Sequence, residues 1–446
     1  MPIVTETYKK LLTTLAKNQF DSAANNYYIG VGRAEVWNDS DVAPTPVNSQ
    51  YEIRQFRNSM QAVKKVEDVS FIVPRYNWIS GTTYSAYDDR VAGYPANAYY
   101  VVNSSFNVYI CLQRARNALG AAVQSTVEPT GTSTSAFTTA DGYTWKYLYT
   151  ISAGEQTRYV SANHIPVKYI DSADPGEIIQ VNQEAVQNAA VDGQILNIVV
   201  TAGGTGYTSA PSVVISGTGT SAAATATVSG GSVVKVEMSN RGSGYDNAVV
   251  SFTGGGGTGA KARAVIGPKG GIGADARNDL RADALMFNSR PTGTEAGDTW
   301  LVDQSFRQIA LMQNITKTSD GSDFTAADGD VLNSMRFNGT SSPDFIAGNL
   351  VVGGTSGAKG FIDFVDSSAG LLYHFNDSTG YTAFQAGEVL TSTTTSGAGA
   401  AGSATLLTDS EGTVNRYSGD ILYIDNRASI TRGAAETQDI KIIIQL

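Results

Sequence analysis

Several residue types are scarce in this sequence, and each scarcity excludes a class of structure or chemistry. The 446 residues include one cysteine, Cys111, so no intrachain disulfide can form. Cys111 lies in the apolar run 108–112, which is typical of a buried strand thiol rather than of a nucleophile. No apolar run approaches the roughly 20 residues of a membrane span, and the N-terminus has no apolar segment of signal-peptide type. We therefore expect a protein that is made and kept soluble in a reducing cytoplasm.

Histidine is nearly as scarce, which limits the catalytic and metal-binding arrangements that the chain can build. His164 and His374 are the two histidines, so a Ser-His-Asp or Cys-His arrangement would have to use one of them. Neither stands at a two-histidine metal spacing, and the sequence has no G-x-S-x-G motif. Paired carboxylates for glycoside hydrolysis meet in space rather than in sequence, and no particular pair is indicated. The sequence therefore predicts that the protein is not an enzyme and has no catalytic, metal or cofactor site.

Charge is also sparse, since charged residues make up 16% of the chain and the net charge is −10. This balance argues against broad binding of a phosphate backbone, which needs clustered Lys and Arg. The Gly-rich run 254–261 superficially suggests a phosphate loop, but it lacks the Gly-Lys-Ser/Thr order, which favours a repeat turn. The aspartates within 320–330 either bind a cation or form a solvated turn, and their spacing misses the EF-hand pattern.

Glycine, by contrast, is abundant, with 47 Gly against 12 Pro, and Val, Ile, Thr and Tyr are frequent while strong helix formers are few. This composition predicts a mainly β fold with many turns, and the length predicts several domains. One helix is expected between residues 5 and 25, because Tyr8, Leu11, Leu12 and Leu15 follow the i, i+3, i+4, i+7 pattern. Such a helix could dock on the chain's own sheet or on a partner.

The stretch 138–151 predicts a strand with one aromatic face. After the tight-turn dipeptide Asp141-Gly142, aromatic residues occupy every second position, which places them on one face of a strand. These aromatic residues are Tyr143, Trp145, Tyr147 and Tyr149. Such a wall either anchors a β-core or, alternatively, forms a stacking platform for sugars or bases.

Two internal repeats predict inserted β-modules. Residues 195–228 and 233–266 align at a constant offset of 38 residues, and each copy predicts three short strands joined by Gly turns. One copy cannot bury its apolar face alone, so the two copies are expected to pack together. A second repeat matches two blocks at offsets of 39 and 40 residues: 345–348 with 384–387, and 355–358 with 395–398.

Together, the composition, the helix pattern and the two repeats predict a mainly β fold. It has a multi-domain, β-sandwich-like core, an N-terminal helix and two inserted Gly-rich β-repeat modules. The five segments are a core β region with the N-terminal helix at 1–178, an inserted β-repeat module at 179–272, a core continuation at 273–340, a second inserted β-module at 341–408, and C-terminal core strands at 409–446.

Seven short sequence blocks, taken in order, resemble one family of proteins. The blocks are IGVGRAEVW at 29–37 with Ala-Pro at 43–44, VPRYNW at 73–78, VYICL at 108–112, VEP at 127–129, DGYTWKYL at 141–148, FRQI at 306–309 and SGDILYIDNR at 418–427. In these blocks and their order the chain is similar to the gene-eight baseplate wedge subunits of T-even-type contractile-tail bacteriophages. The resemblance covers about 1–175, 275–340 and 409–446, and it leaves out both repeat modules.

The resemblance implies a structural subunit of the virion, located in the tail baseplate and without enzymatic activity. Members of the family form a homodimer and contact other baseplate wedge and fibre-linking subunits. The residues of the blocks that we expect to hold the core and the subunit contacts are Arg33, Trp37, Arg75, Trp78, Tyr143, Trp145, Arg307, Tyr423 and Arg427. Their arginines can pair bidentately with carboxylates or stack on aromatic rings, and the alternative is that they are ordinary surface residues.

Two other functions remain open at this point. The inserted modules are similar to Gly-rich β-modules of phage tail and adhesin proteins, so the chain could be a carbohydrate-binding tail adhesin. In that hypothesis Tyr207 and Tyr245 stack on a host surface glycan. An enzyme acting on host polysaccharide is the third hypothesis. Neither nucleic acid nor membrane insertion is expected.

Overall fold

Most of the chain is described by a computed structural model. The described residues are 3–38, 40–291, 300, 302–326, 328–338, 345–366, 371–376, 382–393, 403–433 and 435–445. Strands hold 43% of the residues and helices 12%, in several antiparallel sheets with an N-terminal helix. The predicted mainly β, multi-sheet class is therefore confirmed.

The helices of the described residues are short. They are α1 (Glu6–Asp21), α2 (Gln50–Asn58), α3 (Ala153–Tyr159), α4 (Ile178–Asn188) and α5 (Ala276–Asp279). Within the described ranges, no helix combines the length and the apolar composition that a membrane crossing requires.

The strands follow in chain order. The first eight are β1 (Tyr27–Gly32), β2 (Met60–Lys65), β3 (Asp68–Pro74), β4 (Tyr100–Val102), β5 (Asn107–Gln113), β6 (Phe137–Thr138), β7 (Thr144–Thr150) and β8 (His164–Val167). The next six are β9 (Ile195–Thr205), β10 (Ser212–Gly217), β11 (Thr220–Ser229), β12 (Ser232–Ser243), β13 (Ala248–Thr253) and β14 (Thr258–Ile266). The last eleven are β15 (Ala284–Ser289), β16 (Ser305–Gln313), β17 (Asp328–Asp330), β18 (Asn333–Asn338), β19 (Leu350–Gly353), β20 (Lys359–Asp366), β21 (Leu371–Asn376), β22 (Val389–Thr393), β23 (Ser403–Ser410), β24 (Asp420–Thr431) and β25 (Ile440–Gln445).

The chain forms two compact units. The first unit comprises residues 1–14, 70–286 and 444–446, and the second comprises 15–69 and 287–443. The five-segment division of the sequence stays a prediction. Two of its segments contain sheets of their own, which are described below with the unit that holds them.

The first unit contains an antiparallel sheet with the strand order β4-β5-β7-β6, which we call the aromatic sheet. Strand β7 lies between two neighbours, and every residue from Thr144 to Tyr149 is buried. Thr144, Lys146 and Leu148, which the alternation places on the second face, are therefore buried as well. The Lys146 ammonium group donates a hydrogen bond to the carbonyl of Ile272 at 2.6 Å.

The predicted face of four aromatics holds for three of them. The three that pack in one buried cluster are Tyr143, Trp145 and Tyr147. Val108 of β5 pairs with Tyr149, whereas the adjacent Tyr109 pairs with Tyr147, so β7 carries one extra residue. Such a β-bulge interrupts the alternation of side chains. Tyr149 therefore leaves the cluster, and its hydroxyl donates a hydrogen bond to the carbonyl of Pro166 at 2.7 Å.

The first repeat folds as a six-stranded antiparallel sheet with the order β12-β11-β10-β13-β14-β9, also in the first unit. Tyr207 and Tyr245 occupy equivalent places in the two copies, and both are buried in the core of this sheet. Gly204, at φ +66°, admits the ring of Tyr207 because an added Cβ would lie 2.9 Å from that ring. The expectation that these two tyrosines stack on a glycan is therefore wrong.

In the Gly-rich run 254–261, residues 254–257 connect β13 to β14 and residues 258–261 begin β14. Gly254, Gly255 and Gly256 all have positive φ, which glycine adopts without steric cost. Lys261 lies on β14 and pairs with Ala202 of β9. This geometry agrees with a repeat turn and not with a phosphate loop.

The second unit contains a five-stranded antiparallel sheet with the order β17-β2-β1-β16-β24. Its core holds Tyr28, Phe56, Met312 and Phe324, and the Tyr28 hydroxyl donates to the carbonyl of Phe324 at 2.8 Å. Gly30 of β1 lets this core close up, because a Cβ there would meet the Met312 sulfur at 3.0 Å.

A closed barrel with the order β18-β21-β20-β19-β22-β23 also belongs to the second unit. Its core contains Phe345 and Phe384, which come from the matching blocks 345–348 and 384–387 of the second repeat. The block 395–398 lies outside the described residues. Glu388 accepts hydrogen bonds from the amides of Thr355 and Ser356, so one copy of the repeat fixes a turn of the other.

The N-terminal helix is confirmed, and the Thr5 hydroxyl caps it by accepting from the amide of Tyr8 at 3.3 Å. Its orientation differs from that of most surface helices, whose apolar stripe faces the core. The stripe residues Tyr8, Leu11 and Leu15 are each about half exposed, whereas Thr13 is fully buried. The polar side of α1 therefore faces the chain, and the apolar stripe faces solvent.

Candidate functional site

The structure divides the nine residues expected from the sequence between the two units. Those in the second unit are Arg33, Trp37, Arg307, Tyr423 and Arg427. Those in the first unit are Arg75, Trp78, Tyr143 and Trp145. The residues of each unit are described separately.

In the second unit, β1 leads into the segment 33–47, which we call the wedge loop. Gly32 ends the strand, and a Cβ there would lie 2.8 Å from the carbonyl of Ser59. Arg33 then turns the chain with φ +63°, and its amide donates to the same Ser59 carbonyl at 3.1 Å. The Arg33 guanidinium lies 4.1 Å from the ring centroid of Trp37, which is a cation–π contact.

Two hydrogen bonds attach the wedge loop to adjacent residues of β24. The indole Nε1 of Trp37 donates to the carbonyl of Arg427 at 2.7 Å. The Asn426 side-chain amide donates to the carbonyl of Pro44 at 3.0 Å. The loop is thus held at both its beginning and its end, which fixes its position over the edge strand of the sheet.

Arg307 of β16 holds the middle of the wedge loop. Its Nε and Nη2 donate to the Asp41 carboxylate at 2.8 and 2.9 Å, which is a bidentate pair, and its Nη1 donates to the carbonyl of Ala34. The Arg307 guanidinium is buried, and its hydrogen bonds hold the pKa of the Asp41 carboxyl below the usual range. The pair therefore holds the middle of the loop against β16.

The side chain next to Arg307 continues this network. Gln308 and Asn426 are opposite each other in the β16–β24 register, and the Gln308 amide donates to Asn426 Oδ1 at 2.9 Å. Gln308 also donates to Glu52 of α2 at 3.2 Å. Three sequence blocks, at 29–37, 306–309 and 418–427, are in this way joined by direct side-chain contacts.

A groove of about 400 Å³, lined by both apolar and polar side chains, lies beside this network, between β24 and β25. Phe306, Ile309 and Ile442 contribute apolar surface, while Tyr423 and Arg427 line the same groove. The Arg427 side chain is about half exposed and pairs with Asp425 at 2.6 Å. A groove lined by apolar, aromatic and charged side chains is suited to contact with another protein chain.

In the first unit, Tyr143 and Trp145 belong to the core of the aromatic sheet. Their rings stack with centroids 5.7 Å apart, and Tyr84 packs edge-on against Trp145 at 5.6 Å. Both side chains are fully buried, so no ring face is open to a sugar or a base. The core interpretation of this strand therefore holds, and the stacking-platform alternative is wrong.

Asp141 organises the chain next to this core. It accepts hydrogen bonds from the Ser125 hydroxyl at 2.9 Å and from the amides of Thr126 and Val127 at 2.8 and 3.0 Å. Ser125 in turn accepts from the indole Nε1 of Trp78 at 3.0 Å. The blocks at 73–78, 127–129 and 141–148 are therefore neighbours in space.

Arg75 binds locally rather than within the aromatic cluster. Its Nε donates to Asn77 at 2.9 Å, and its Nη1 donates to the carbonyl of Ser161 at 3.0 Å. It thereby joins the end of β3 to the turn that precedes β8. This contact stabilises a chain connection and involves no carboxylate.

Three side chains of types that occur in catalytic or cation sites, Cys111, His374 and Asp320, are buried or hydrogen-bonded within the fold. Cys111 is fully buried, and burial raises the pKa of its thiol. His374 is buried in the barrel with Nε2 3.0 Å from Asp409. Asp320 accepts hydrogen bonds from the amide and hydroxyl of Ser322, as in a solvated turn. Among the described residues, no group of three or more His, Cys, Asp or Glu could hold a metal ion.

The sequence did not single out Asp41 or Asn426, although both complete the wedge-loop network. Asp41 lies in the run Asn-Asp-Ser-Asp, which indicates only a polar turn. Asn426 directly precedes Arg427 in the block 418–427, and its place in that block is the sequence feature that points to it. No protein-family model and no curated protein matches this chain.

Proposed function

We propose that the protein is a structural subunit of the baseplate wedge of a contractile phage tail, where it links neighbouring wedge proteins. The observation that carries this proposal is the wedge-loop network. Blocks that resemble the family at 29–37, 306–309 and 418–427 are far apart in the sequence, and Trp37, Arg307 and Asn426 join them in one site. A shared set of blocks that builds one rigid surface is what a structural subunit requires.

The groove between β24 and β25 is the wedge-protein contact in this proposal. Its apolar residues supply buried area on association, and the lining carries charge of both signs, from Arg427 and Lys441 and from Asp425 and Asp439. The network keeps the adjacent loop in place before binding, so little conformational entropy is lost on assembly.

The proposed location in the virion is tested by cryo-electron microscopy of intact tails that contain this chain. We expect paired copies in each wedge around the tail hub, with residues of the β24–β25 groove against another subunit. Density confined to fibre tips, or no density in the particle, would contradict the structural role.

The proposal includes a homodimer, and the exposed stripe of α1 is its contact. The helix is oriented by ion pairs from Lys9 to Asp283 at 3.3 Å and from Lys10 to Asp275 at 3.4 Å, so its polar side is already occupied. An uncovered apolar helix face on a soluble protein marks an interaction site.

The stripe is complementary to itself. In an antiparallel pairing, Tyr8 of one copy faces Leu11 of the other, and Val4 faces Leu15. All four side chains are at least half exposed. Lys9 and Lys10, which adjoin Tyr8 and Leu11 in the sequence, pair with aspartates of their own chain, so two copies meet without opposing like charges.

The dimer is tested by light scattering on the purified chain and on Leu11→Glu. We expect a dimer for the unmodified protein and a monomer for the variant, because two glutamates would be buried without partners. Ile178→Glu is the matched control, since it places the same charge at another exposed aliphatic residue of a helix. A dimer that persists in Leu11→Glu would exclude the α1 contact, and a monomeric unmodified protein would exclude the homodimer itself.

A further inference from the structure

The first unit contains a cleft of about 320 Å³, which we call the module cleft. One wall is formed by 197–200 of β9 and 234–237 of β12, which belong to the repeat sheet. The rest of the lining comes from residues within 85–99, from residues within 113–116 at the end of β5, and from Arg281. Its volume is in the range of sites for small ligands.

Positive charge dominates the lining of the module cleft. Three arginines line it, namely Arg114, Arg116 and Arg281, together with Lys235. Of the two carboxylates in the lining, Glu237 pairs with Lys235 at 3.0 Å and Asp88 pairs with Arg263. The carboxylates are therefore already neutralised, and the three guanidinium groups have no carboxylate of their own among the described residues.

The guanidinium groups are held in place by neutral contacts. Arg281 donates to the carbonyls of Gly93 and Asp88, and its guanidinium lies 5.2 Å from the ring centroid of Tyr99. Arg116 donates to the carbonyl of Gly120 at 2.5 Å. These contacts orient the groups and leave their positive charge uncompensated.

Arg114 differs from the other two arginines of the cleft. Its guanidinium has no hydrogen bond or ion pair within the described part of the chain, although the side chain is partly buried. Burial and the charge of Arg114 both lower the pKa of Arg116, which reflects the cost of holding two guanidinium groups near each other. An anion placed between them would remove that repulsion.

We propose that the module cleft binds a small organic oxyanion, a carboxylate or a phosphate ester on a body of about monosaccharide size. Guanidinium groups bind both oxyanions through paired N–H donors. The valines and Ile198 that line the walls contact the uncharged body of the ligand, and the amide groups of Gln113 and Asn197 offer donors to its hydroxyls. Because the protein as a whole is acidic, this cleft is an exception to its charge.

The test is isothermal titration calorimetry of the full chain with glucuronate and with glucose 6-phosphate, each compared with glucose. We expect at least one of the two anions to bind in a 1:1 ratio and glucose to bind at least tenfold more weakly, because glucose lacks the oxyanion. The two anions separate the carboxylate from the phosphate as the group that is recognised. Binding that weakens at high salt is also expected.

Arg114→Gln tests the assignment of the site. It removes a guanidinium group that has no hydrogen bond or ion pair to any described residue, so an unchanged melting temperature is expected, with affinity lowered at least tenfold. Arg54→Gln, which removes an exposed arginine of α2 outside the cleft, is the control and should bind like the unmodified protein.

Three results would overturn this proposal: neither anion binds, glucose binds as tightly as its anionic derivatives, or Arg114→Gln binds with unchanged affinity. The outcome is independent of the baseplate role, because a wedge subunit can carry this cleft with or without a ligand. If Arg114→Gln fails to fold, Arg116→Gln tests the cleft two residues further along, where the hydrogen bond to the Gly120 carbonyl is also lost.

Discussion

Replacing Trp145 by alanine is the most direct test of the aromatic sheet. The side chain is fully buried, stacks on Tyr143 and is contacted edge-on by Tyr84. A buried aromatic side chain removes about 150–250 Å² from water, which corresponds to about 4–6 kcal/mol at about 25 cal/mol per Å². Alanine keeps part of that area, and the unfolded chain already buries some of it, so we expect a loss of about 3–5 kcal/mol.

The indole nitrogen provides an internal control for this prediction. Nε1 of Trp145 has no hydrogen-bond partner among the described residues, so Trp145→Phe loses packing and no hydrogen bond. We expect it to cost below about 2 kcal/mol. Trp78→Phe, in contrast, breaks the hydrogen bond to Ser125 and should add about 1 kcal/mol to its packing loss.

The assay is urea unfolding followed by circular dichroism, together with hydrogen exchange of the amides in β5 and β7. Exchange reports the opening free energy of these strands even if the two compact units unfold separately. A loss below about 1 kcal/mol for Trp145→Ala would refute the reasoning, because it would mean that the aromatic face is not part of the core.

The remaining predictions concern charged groups. Arg307→Ala should lower the free energy of unfolding by about 2–3 kcal/mol, because the Asp41 carboxylate loses its guanidinium partner and keeps only the Trp37 amide, and the Ala34 carbonyl loses the Arg307 donor. Urea titration measures this loss. Arg427→Ala, which removes a half-exposed pair, should cost below about 1 kcal/mol. Equal losses in the two variants would contradict a special role for Arg307. Burial raises the pKa of the Asp279 carboxyl to about 8, while an unfolded carboxyl titrates near pH 4. Between these values the native state binds a proton that the unfolded state lacks, so the free energy of unfolding should fall as pH rises, by up to about 1.4 kcal/mol per pH unit. Asp279→Asn should flatten that slope in unfolding curves measured from pH 5 to 8, and an unchanged slope would mean that another group titrates.

The sequence predicted those features that depend on local periodicity. The helix α1 follows from apolar spacing, the β class follows from composition, and the repeat sheet follows from the constant offset of its two copies. The burial of Tyr143 and Trp145 could also be predicted from the sequence, because aromatic residues at every second position are a strong strand signal.

Features that depend on tertiary contacts could not be predicted from the sequence. The extra residue that moves Tyr149 out of the aromatic cluster is a matter of pairing with β5, and no pattern within β7 reveals it. The outward stripe of α1 depends on Asp275 and Asp283, which attract its lysines from positions far along the chain. Asp41 looked like a turn residue because its partner Arg307 is equally remote.

The strand order of the repeat sheet means that its two copies have exchanged a strand. The first copy supplies β9, β10 and β11, yet β9 pairs with β14 of the second copy, and β12 of the second copy pairs with β11 of the first. The pairing of β10 with β13 relates the halves by an approximate two-fold axis, since Ser212 faces Thr253 and Ile215 faces Val250.

This arrangement is a domain swap within a single chain. Neither half can complete its sheet alone, so the module must close the long loop between Ile195 and Ile266 before either half is stable. Such non-local closure slows folding, because the entropy of closing the loop is lost before the strand pairing stabilises the module. A chain carrying one copy would have to recruit a second molecule to fill the missing place, which turns a duplicated module into a domain-swapped dimer.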